Sequence, residues 1–317
     1  MAPIPIVFDT DPGVDDALAL MLALASPELD VMGVCTVNGN VSLDICTRNA
    51  LGLLQLLERN DVPVYRGADQ PLVREPVYAT EVHGKEGMGA AVLPVSHVAA
   101  KENAAAFLVE QLTQRPEEVT VIAVGPLTNL ALAEKIMPGV LAKAKRVVAM
   151  GGAVVAPGNA SATAEFNFYA DPHAAQDVIR SGAKLTLVPL DATQQVGLAE
   201  AVIREKIVPL DTPMAKFVVD AVANVLAYGE QLGRDTVVYL HDPLAVGVAI
   251  APSMFDCLQF SLDVETVGDL TMGQLVSDRR QAPVGGRLGH TVNCVMGVQA
   301  DRFLNLFLER TLNLQAE

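Results

Sequence analysis

The sequence has no tryptophan, and aromatic residues make up only 4% of its 317 residues. Apolar residues still reach 51%, so we expect a large core built mainly from alanine, valine and leucine. No stretch of about 18 uninterrupted apolar residues occurs, which excludes an ordinary membrane-spanning helix. The first residues, MAPIPIVFD, carry neither a basic cluster nor the apolar run of a secretory signal peptide, so no signal peptide is expected.

Positive charge is also scarce, because 22 Lys and Arg face 37 Asp and Glu and leave a net charge of −15. A surface this acidic repels phosphate backbones and anionic lipids, so we expect neither nucleic acid nor a membrane as a partner. Only four cysteines occur, with no C-x-x-C spacing that would indicate a zinc site: Cys35, Cys46, Cys257 and Cys294. They are typical of free thiols in a reducing compartment, and a cytoplasmic protein is expected.

Apolar, β-branched runs alternate with helical patterns along the chain. Strands are predicted at 4–9, 29–37, 62–65, 119–125, 146–152 and 184–191, with a weaker one at 288–298, and helices at 15–26, 42–59, 103–114, 129–136, 171–182 and 301–312. Several of these strands are apolar on both faces, which is typical of a parallel sheet with helices on both sides. With no linker or repeat in view, the sequence predicts one α/β domain over residues 1–317, a mostly parallel open sheet.

The stretch VFDTDPGVDDALAL, residues 7–20, contains four aspartates within eight positions: Asp9, Asp11, Asp15 and Asp16. Ligands bind at the carboxyl ends of strands in open α/β sheets, and Asp9 and Asp11 stand where the first strand ends. A helix N-terminus alone would account for Asp15 and Asp16, but not for the two acids across the turn. Several carboxylates at one point, without cysteine or histidine nearby, indicate a Ca²⁺ or Mg²⁺ site.

Two further stretches combine residue types that suit a polar ligand. GNASATAEFN, residues 158–167, supplies Asn159, Glu165 and Asn167, a donor and acceptor set fitted to sugar hydroxyls. HDPLAV, residues 241–246, pairs His241 with Asp242. A polar surface loop would equally explain residues 158–167, and a simple helix start would explain residues 241–246.

Two shorter patterns are more ambiguous still. Thr128, in GPLTNLA at 125–131, follows a strand and is equally explained as part of a helix cap. His83 lies in the glycine-rich stretch VHGKEGMG at 82–89, where a lone histidine is more often solvated than functional.

An apolar strand followed by D-x-D also opens the haloacid dehalogenase-type phosphatases, in which the first aspartate is the nucleophile and the second the acid. Asp9 and Asp11 resemble that pair. Pro12 follows directly, however, and the lysine and late acidic pair expected of those enzymes are not evident. This alternative is therefore weaker.

Taken together, DTDPGVDDALAL, GNASATAEFN and HDPLAV resemble the inosine–uridine-preferring nucleoside hydrolase family, in the order and at about the spacing of that family. The resemblance covers essentially the whole chain. It implies hydrolysis of the N-glycosidic bond of ribonucleosides to ribose and free base, one bound Ca²⁺, and a homo-dimer or homo-tetramer. A non-catalytic Ca²⁺-dependent nucleoside- or sugar-binding protein on the same fold remains the alternative from another class.

The resemblance also implies a role for individual residues. Asp11, Asp16, the backbone carbonyl of Thr128 and Asp242 match the metal ligands, and Asp11 and His241 match the general base and the expected general acid. The matching substrate-binding residues are Asp15, Asn40, Met150, Asn159, Glu165 and Asn167 around the ribose, and His83 near the base.

The base pocket is the least defined part of the resemblance. Some family members enclose the base between tryptophans, which this chain lacks. Tyr228, Gln231 and Tyr239 are candidates for contacts with the base, and the preference for purine or pyrimidine stays open.

Overall fold

The computed structural model describes residues 2–233, 236–281 and 285–313. Its strands are β1 (Ile4–Thr10), β2 (Leu29–Thr36), β3 (Val64–Arg66), β4 (Lys101–Glu102), β5 (Thr120–Ala123), β6 (Arg146–Met150), β7 (Leu185–Val188), β8 (Gly197–Ala199), β9 (Val237–Tyr239), β10 (Phe255–Val264), β11 (Leu275–Ser277) and β12 (His290–Val298). All seven strands predicted from the sequence are present, with slightly different ends.

The α-helices alternate with these strands through most of the chain. They are α1 (Val14–Ala25), α2 (Leu43–Leu56), α3 (Thr80–His83), α4 (Ala104–Gln114), α5 (Thr128–Ile136), α6 (Phe166–Ala170), α7 (Pro172–Arg180), α8 (Leu190–Thr193), α9 (Glu200–Val202), α10 (Pro213–Gln231), α11 (His241–Ile250) and α12 (Ala300–Leu312). Short 3-10 turns cover Leu141–Lys143, Val208–Leu210 and Pro252–Met254, and a π turn covers Ile203–Ile207. Among the described residues, no helix is both long and apolar enough to cross a membrane.

Ten strands form one sheet in the order β11-β10-β12-β7-β6-β5-β1-β2-β3-β4. The strands from β12 to β4 run parallel to one another, and β10 and β11 add an antiparallel edge. A separate antiparallel hairpin pairs β8 with β9. The prediction of a mostly parallel α/β sheet with helices on both faces is thus confirmed.

The central strands send alternate side chains to two apolar cores, one on each face of the sheet. Ile6 and Phe8 of β1 belong to the core that α1, α10, α11 and α12 cover, whereas Val7 packs with α4, α5 and α7 on the other face. This two-sided burial explains why the strands are continuous apolar runs. The terminal helix packs on the body, as expected, through Phe303 and Phe307, both 0% exposed.

Register places the predicted site residues at one edge of the sheet. Asp9 pairs with Cys35 of β2 and Ala123 of β5, so β1, β2 and β5 end side by side. β6 and β7 end at the same level, since Met150 pairs with Val188. The segments that leave these five strands therefore emerge together, as expected for a ligand site in an open α/β sheet.

Candidate functional site

A cavity of about 760 Å³ opens at this carboxyl edge. Its lining contains residues from six separate sequence segments that the sequence analysis had singled out: Asp15, Asn40, His83, Met150, Asn159, Glu165, Asn167, His241 and Asp242. Tyr228 and Tyr239 line it as well, whereas Gln231 does not. Asp11, Asp16 and Thr128 lie outside the lining.

Asp11 is fully enclosed, with 0% of its surface exposed, and it contacts Asn40 of the cavity lining. Its Oδ2 accepts a hydrogen bond from the backbone N–H of Asn40 at 2.6 Å. Its Oδ1 is buried without a partner among the described residues. A Cβ at Gly39 would lie 2.0 Å from Oδ2 and one at Gly125 2.5 Å from Oδ1, so only glycine allows the backbone to close on this carboxylate from both sides.

Asp16 is held more tightly than any other acid of the cluster. Its Oδ1 accepts hydrogen bonds from Thr10 Oγ1 at 2.5 Å and Asp11 N at 3.1 Å. Its Oδ2 accepts from Gly13 N at 3.0 Å and Asn40 Nδ2 at 2.9 Å. Because the bond to Gly13 N satisfies the start of α1, this carboxylate serves both as a helix cap and as the centre of the acidic group.

Three carboxylates converge closely enough to share one ion. Ligand oxygens of Asp15, Asp16 and Asp242 lie within 4.8 Å of one another. Asp11 is not part of this trio but adjoins it through the hydrogen bonds to Asn40 and Asp16. Asp15, expected to contact the ribose, thus lies among the possible metal ligands, and its Oδ1 is also buried without a partner.

Burial and mutual repulsion raise the pKa values of these acids. Burial raises the pKa of Asp15 to about 6, and burial followed by the charge of Asp16 raises the pKa of Asp11 well above its usual range. Burial, and then the charge of Asp15, likewise raise the pKa of Asp16 and of Asp242. Like charges that are both desolvated and close together call for a cation. The donor set is all oxygen, and with the orphaned oxygens of Asp11 and Asp15 it fits a hard divalent ion such as Ca²⁺.

Thr128 begins α5, and its side chain is hydrogen-bonded to a carboxylate that is not part of the acidic cluster. Thr128 Oγ1 donates to Asp171 Oδ2 at 2.8 Å. Asp171 also accepts from Leu72 N at 2.9 Å and caps α7 through Ala174 N at 3.0 Å. A buried aspartate thereby joins α5, α7 and the loop that follows β3.

Asp9 has no contact with the cavity. It is 0% exposed, and its Oδ2 accepts from Asn129 Nδ2 at 2.8 Å while Oδ1 is unpartnered. Burial raises its pKa to about 7, although the bond from Asn129 opposes this. Asn129 also donates to Thr36 O at 3.0 Å and accepts from Ala68 N at 2.9 Å. These contacts hold Asp9 near the end of β1, two residues before Asp11.

The loop between β6 and α6 presents the amide and acid groups expected to hold a sugar. Glu165 accepts from Asn167 N at 2.9 Å and Gly152 N at 2.9 Å, and burial raises its pKa to about 7. Asn167 Nδ2 donates to Val124 O at 2.8 Å, which leaves its Oδ1 for a ligand. Asn159 Oδ1 accepts from Phe166 N at 2.9 Å, which leaves its Nδ2 for a ligand.

Each of the two cavity histidines is held through Nδ1. His83 Nδ1 accepts from Val14 N at 3.1 Å, a free donor at the start of α1, and lies 3.8 Å from Asp15 Oδ1. His241 Nδ1 lies 2.7 Å from Thr193 Oγ1. Burial lowers the pKa of both rings to about 4.

Several supporting residues were not found from the sequence. Asp191 anchors the loop between β6 and α6 by accepting hydrogen bonds from Val154 N at 2.7 Å and Ala156 N at 3.0 Å. Asn224 of α10 holds the His83 segment by donating to Val82 O at 2.7 Å. Each of these contacts joins residues far apart in the chain, so no local pattern signals them.

The chain is similar to known proteins over nearly its whole length. Residues 6–305 match the inosine-uridine preferring nucleoside hydrolase family. The pyrimidine-specific ribonucleoside hydrolase RihA of Shewanella sp. strain MR-7 is 38% identical over 96% of this chain and 95% of its own. A plant nucleoside hydrolase superposes with a TM-score of 0.91 at 31% identity, over 98% of this chain and 99% of its own. A purine-preferring ribonucleoside hydrolase from Gardnerella vaginalis gives 0.89 at 32% identity, over 97% and 98%.

The fold and the site therefore define an α/β hydrolytic enzyme with an acidic centre that could bind a metal. The chain belongs to the inosine-uridine preferring nucleoside hydrolase family, whose members act on the N-glycosidic bond. Its relatives include both pyrimidine-specific and purine-preferring enzymes.

Proposed function

We propose that this protein is a Ca²⁺-dependent ribonucleoside hydrolase that releases ribose and free base in nucleoside salvage. The observation that carries the proposal is the cavity itself, where acids, amides and two histidines from distant segments line one space. At about 760 Å³, the cavity has the size of a small-molecule site. We further propose a cytoplasmic homo-dimer or homo-tetramer.

Asp11, Asp16, Asp242 and the backbone carbonyl of Thr128 would hold the ion, with Asp15 beside them. When bound, Ca²⁺ supplies positive charge among desolvated acids, binds hydroxyl groups and makes water more acidic. The orphaned oxygens of Asp11 and Asp15 support this placement.

The ribose would lie between the acids and the loop that carries Asn159, Glu165 and Asn167, with Asn40 and Met150 beside it. Asp15 would accept a hydrogen bond from a ribose hydroxyl in this arrangement. Cleavage of the glycosidic bond develops positive charge on the sugar. Fixed carboxylate and amide oxygens stabilise that charge without reorganising, because their hydrogen bonds to the backbone already hold them in place.

Two proton transfers complete the reaction. Asp11, with one oxygen free of hydrogen bonds, accepts the proton of the attacking water. The leaving base is a poor anion, and His241 would donate a proton to it as the bond breaks. This step requires the doubly protonated ring, because the pKa of about 4 leaves His241 largely neutral at pH 7. His83 faces the same cavity and would contact the base, as would Tyr228 and Tyr239.

The two alternatives make different demands on the site. A phosphatase of the haloacid dehalogenase type would need Asp9 as a nucleophile. The Asp9 side chain is hydrogen-bonded to Asn129, which does not line the cavity, whereas Asp11 is hydrogen-bonded to Asn40, which does. A non-catalytic binding protein would need the same metal and ribose contacts but no proton transfer.

One assay separates these possibilities. The purified protein with Ca²⁺ is incubated with uridine, cytidine, inosine and adenosine, and with p-nitrophenyl phosphate, and reducing sugar and phosphate are measured. We expect ribose release from at least one nucleoside and no phosphate release, with loss of ribose release in Asp11→Asn. Binding of nucleosides without ribose release would instead identify a binding protein. The values of kcat/KM across the panel define the base preference.

A further inference from the structure

The loop that presents Asn159 to the cavity is long and irregular. It runs over residues 151–165, from the end of β6 to the start of α6, and contains neither helix nor strand. Loops of more than about 12–15 residues without secondary structure are uncommon in compact domains and are usually functional. Side chains elsewhere in the fold must therefore hold this loop in one position.

The second half of the loop is closed on itself. The backbone N–H groups of Asn159 and Ala160 both donate to Ala164 O at 3.1 Å. Ser161 Oγ accepts from Ala164 N at 3.0 Å, and Asn159 Oδ1 accepts from Phe166 N at 2.9 Å. This unit is joined to α6 at its far end, so its near end depends on the first half of the loop.

Asp191, in the short helix α8, holds that first half. Its Oδ2 accepts from Val154 N at 2.7 Å, and its Oδ1 accepts from Val155 N at 2.8 Å and Ala156 N at 3.0 Å. Within the described part of the chain, none of these three N–H groups has another acceptor. A carboxylate holds a backbone donor more strongly than a neutral acceptor does, so one side chain fixes three consecutive residues.

Asp191 is itself fixed to the sheet. Gln195 Nε2 donates to Asp191 O at 2.6 Å and to Met296 O of β12 at 2.9 Å. Leu190 N, at the start of α8, donates to Gly152 O at 3.0 Å. The anchor of the loop is therefore joined to a strand of the main sheet.

We propose that Asp191 is a positioning residue for the ribose, which holds residues 154–156 and thereby keeps Asn159 where its Nδ2 meets a sugar hydroxyl. Asn159 lines the cavity, whereas Asp191 does not. The effect on catalysis rests on the function proposed above, whereas the ordering of the loop does not. Without Asp191, the first half of the loop would lose three hydrogen bonds and Asn159 its fixed place.

Glu134 of α5 provides a matched control. Its carboxylate accepts from Gly139 N and, at 3.1 Å, from Leu141 N, so it also holds a loop through backbone donors. That loop precedes β6, at the end of the strand opposite to the cavity, and these three residues do not line the cavity. Asp191→Asn and Glu134→Gln are therefore the same chemical change, and only the first concerns the ribose.

The first experiment measures the order of the loop and needs no substrate. Hydrogen exchange of the full chain with Ca²⁺ is followed by mass spectrometry in the unmodified protein and in both variants. We expect the amides of residues 153–164 to exchange roughly 10-fold faster in Asp191→Asn, the effect of losing one hydrogen bond to a charged group, and to be unchanged in Glu134→Gln. Unchanged exchange of this loop in Asp191→Asn would overturn the proposal whether or not the protein is a hydrolase.

The second experiment separates an effect on the ribose from one on the leaving base. Each variant is assayed on the best natural nucleoside and on p-nitrophenyl riboside, whose leaving group needs no proton. Because both substrates contain the ribose, Asp191→Asn should lower kcat/KM on both by roughly 10- to 100-fold, as a misplacement of about 1 Å can. Glu134→Gln should match the unmodified protein. Since α8 also contacts His241 through Thr193, a loss confined to the natural nucleoside would overturn the proposal, as would no loss on either substrate.

A double-mutant cycle then tests whether Asp191 acts through Asn159. Asn159→Ala removes the amide that the loop presents, so adding Asp191→Asn to it should lower kcat/KM by less than about 3-fold more. Fully additive losses would show that Asp191 acts by another route and would overturn the positioning role. If Asp191→Asn does not fold, Asp191→Glu, which keeps the charge but moves the carboxylate, takes its place in all three measurements under the same criteria.

Discussion

Asp171 should be among the most important single side chains for the stability of the site, although it touches no substrate. Fully buried, it accepts from Thr128 Oγ1 at 2.8 Å and Leu72 N at 2.9 Å, and it caps α7 through Ala174 N at 3.0 Å. Replacement by alanine leaves one buried and one part-buried donor without this partner and removes the cap.

The size of the effect follows from these contacts. A buried hydrogen bond to a charged acceptor is worth about 1.5–3 kcal/mol, and a helix cap about 1 kcal/mol. Since neighbouring contacts are not additive, we expect Asp171→Ala to lower the free energy of unfolding by about 4 kcal/mol. For a chain of this size that corresponds to a fall in Tm of about 10 °C.

The matched control lies on the same helix. Asp177 of α7 pairs with Lys135 at 3.3 Å, and their side chains are 40% and 54% exposed. Asp177→Ala should change the unfolding free energy by no more than about 1 kcal/mol. Urea unfolding of both variants, with and without Ca²⁺, measures the difference. If Asp171→Ala were no less stable than Asp177→Ala, the conclusion that Asp171 stabilises the packing of α5, α7 and the loop after β3 would be wrong.

Three further predictions concern the chemistry. Deoxyuridine should be cleaved with a kcat/KM lower than that of uridine by about 10⁴-fold, because a missing hydroxyl leaves buried polar groups unpaired; similar values would exclude Asp15, Asn159 and Glu165 as ribose contacts. His241→Ala should slow natural nucleosides by about 10²–10⁴-fold but not p-nitrophenyl riboside, and equal slowing of both would exclude it as the acid. Saturating Ca²⁺ at about 100 times Kd should stabilise the chelated protein by about 2.7 kcal/mol, and an unchanged Tm would argue against ion binding by the acidic cluster.

The central sheet could be predicted from the sequence because its strands are buried on both faces. Their apolar runs stand out whatever surrounds them, and the helices between them carry clear patterns. The antiparallel edge was not predicted: β10 contains exposed residues such as Leu258, 56% exposed, and its mixed pattern has no single period. The two-residue β4 and the hairpin of β8 and β9 are too short to give a signal.

Helix α10 was missed although its signal was present. Thr212 caps it by accepting from Ala215 N, and Pro213 occupies its first turn. This Thr-Pro start is a recognised helix signal. The omission matters because α10 places Tyr228 in the cavity lining. Its Asn224 also donates a hydrogen bond to Val82 O, next to His83.

The site was predictable where its residues come in short motifs, and not where they meet across the fold. Asp11, Asp15 and Asp16 share one turn, so their spacing alone suggests a shared ion. Asp171 and Thr193 act on residues 43 and 48 positions away, and only the register of the sheet brings them into contact.

The most direct test of the account is the Ca²⁺ dependence of nucleoside hydrolysis. The protein is stripped of metal by exhaustive chelation, checked by elemental analysis, and assayed for ribose release from uridine and inosine before and after Ca²⁺ is restored. The account predicts that hydrolysis is lost with the ion and returns with it, and that Asp16→Asn does not recover. Full activity in protein shown to be free of metal would contradict it.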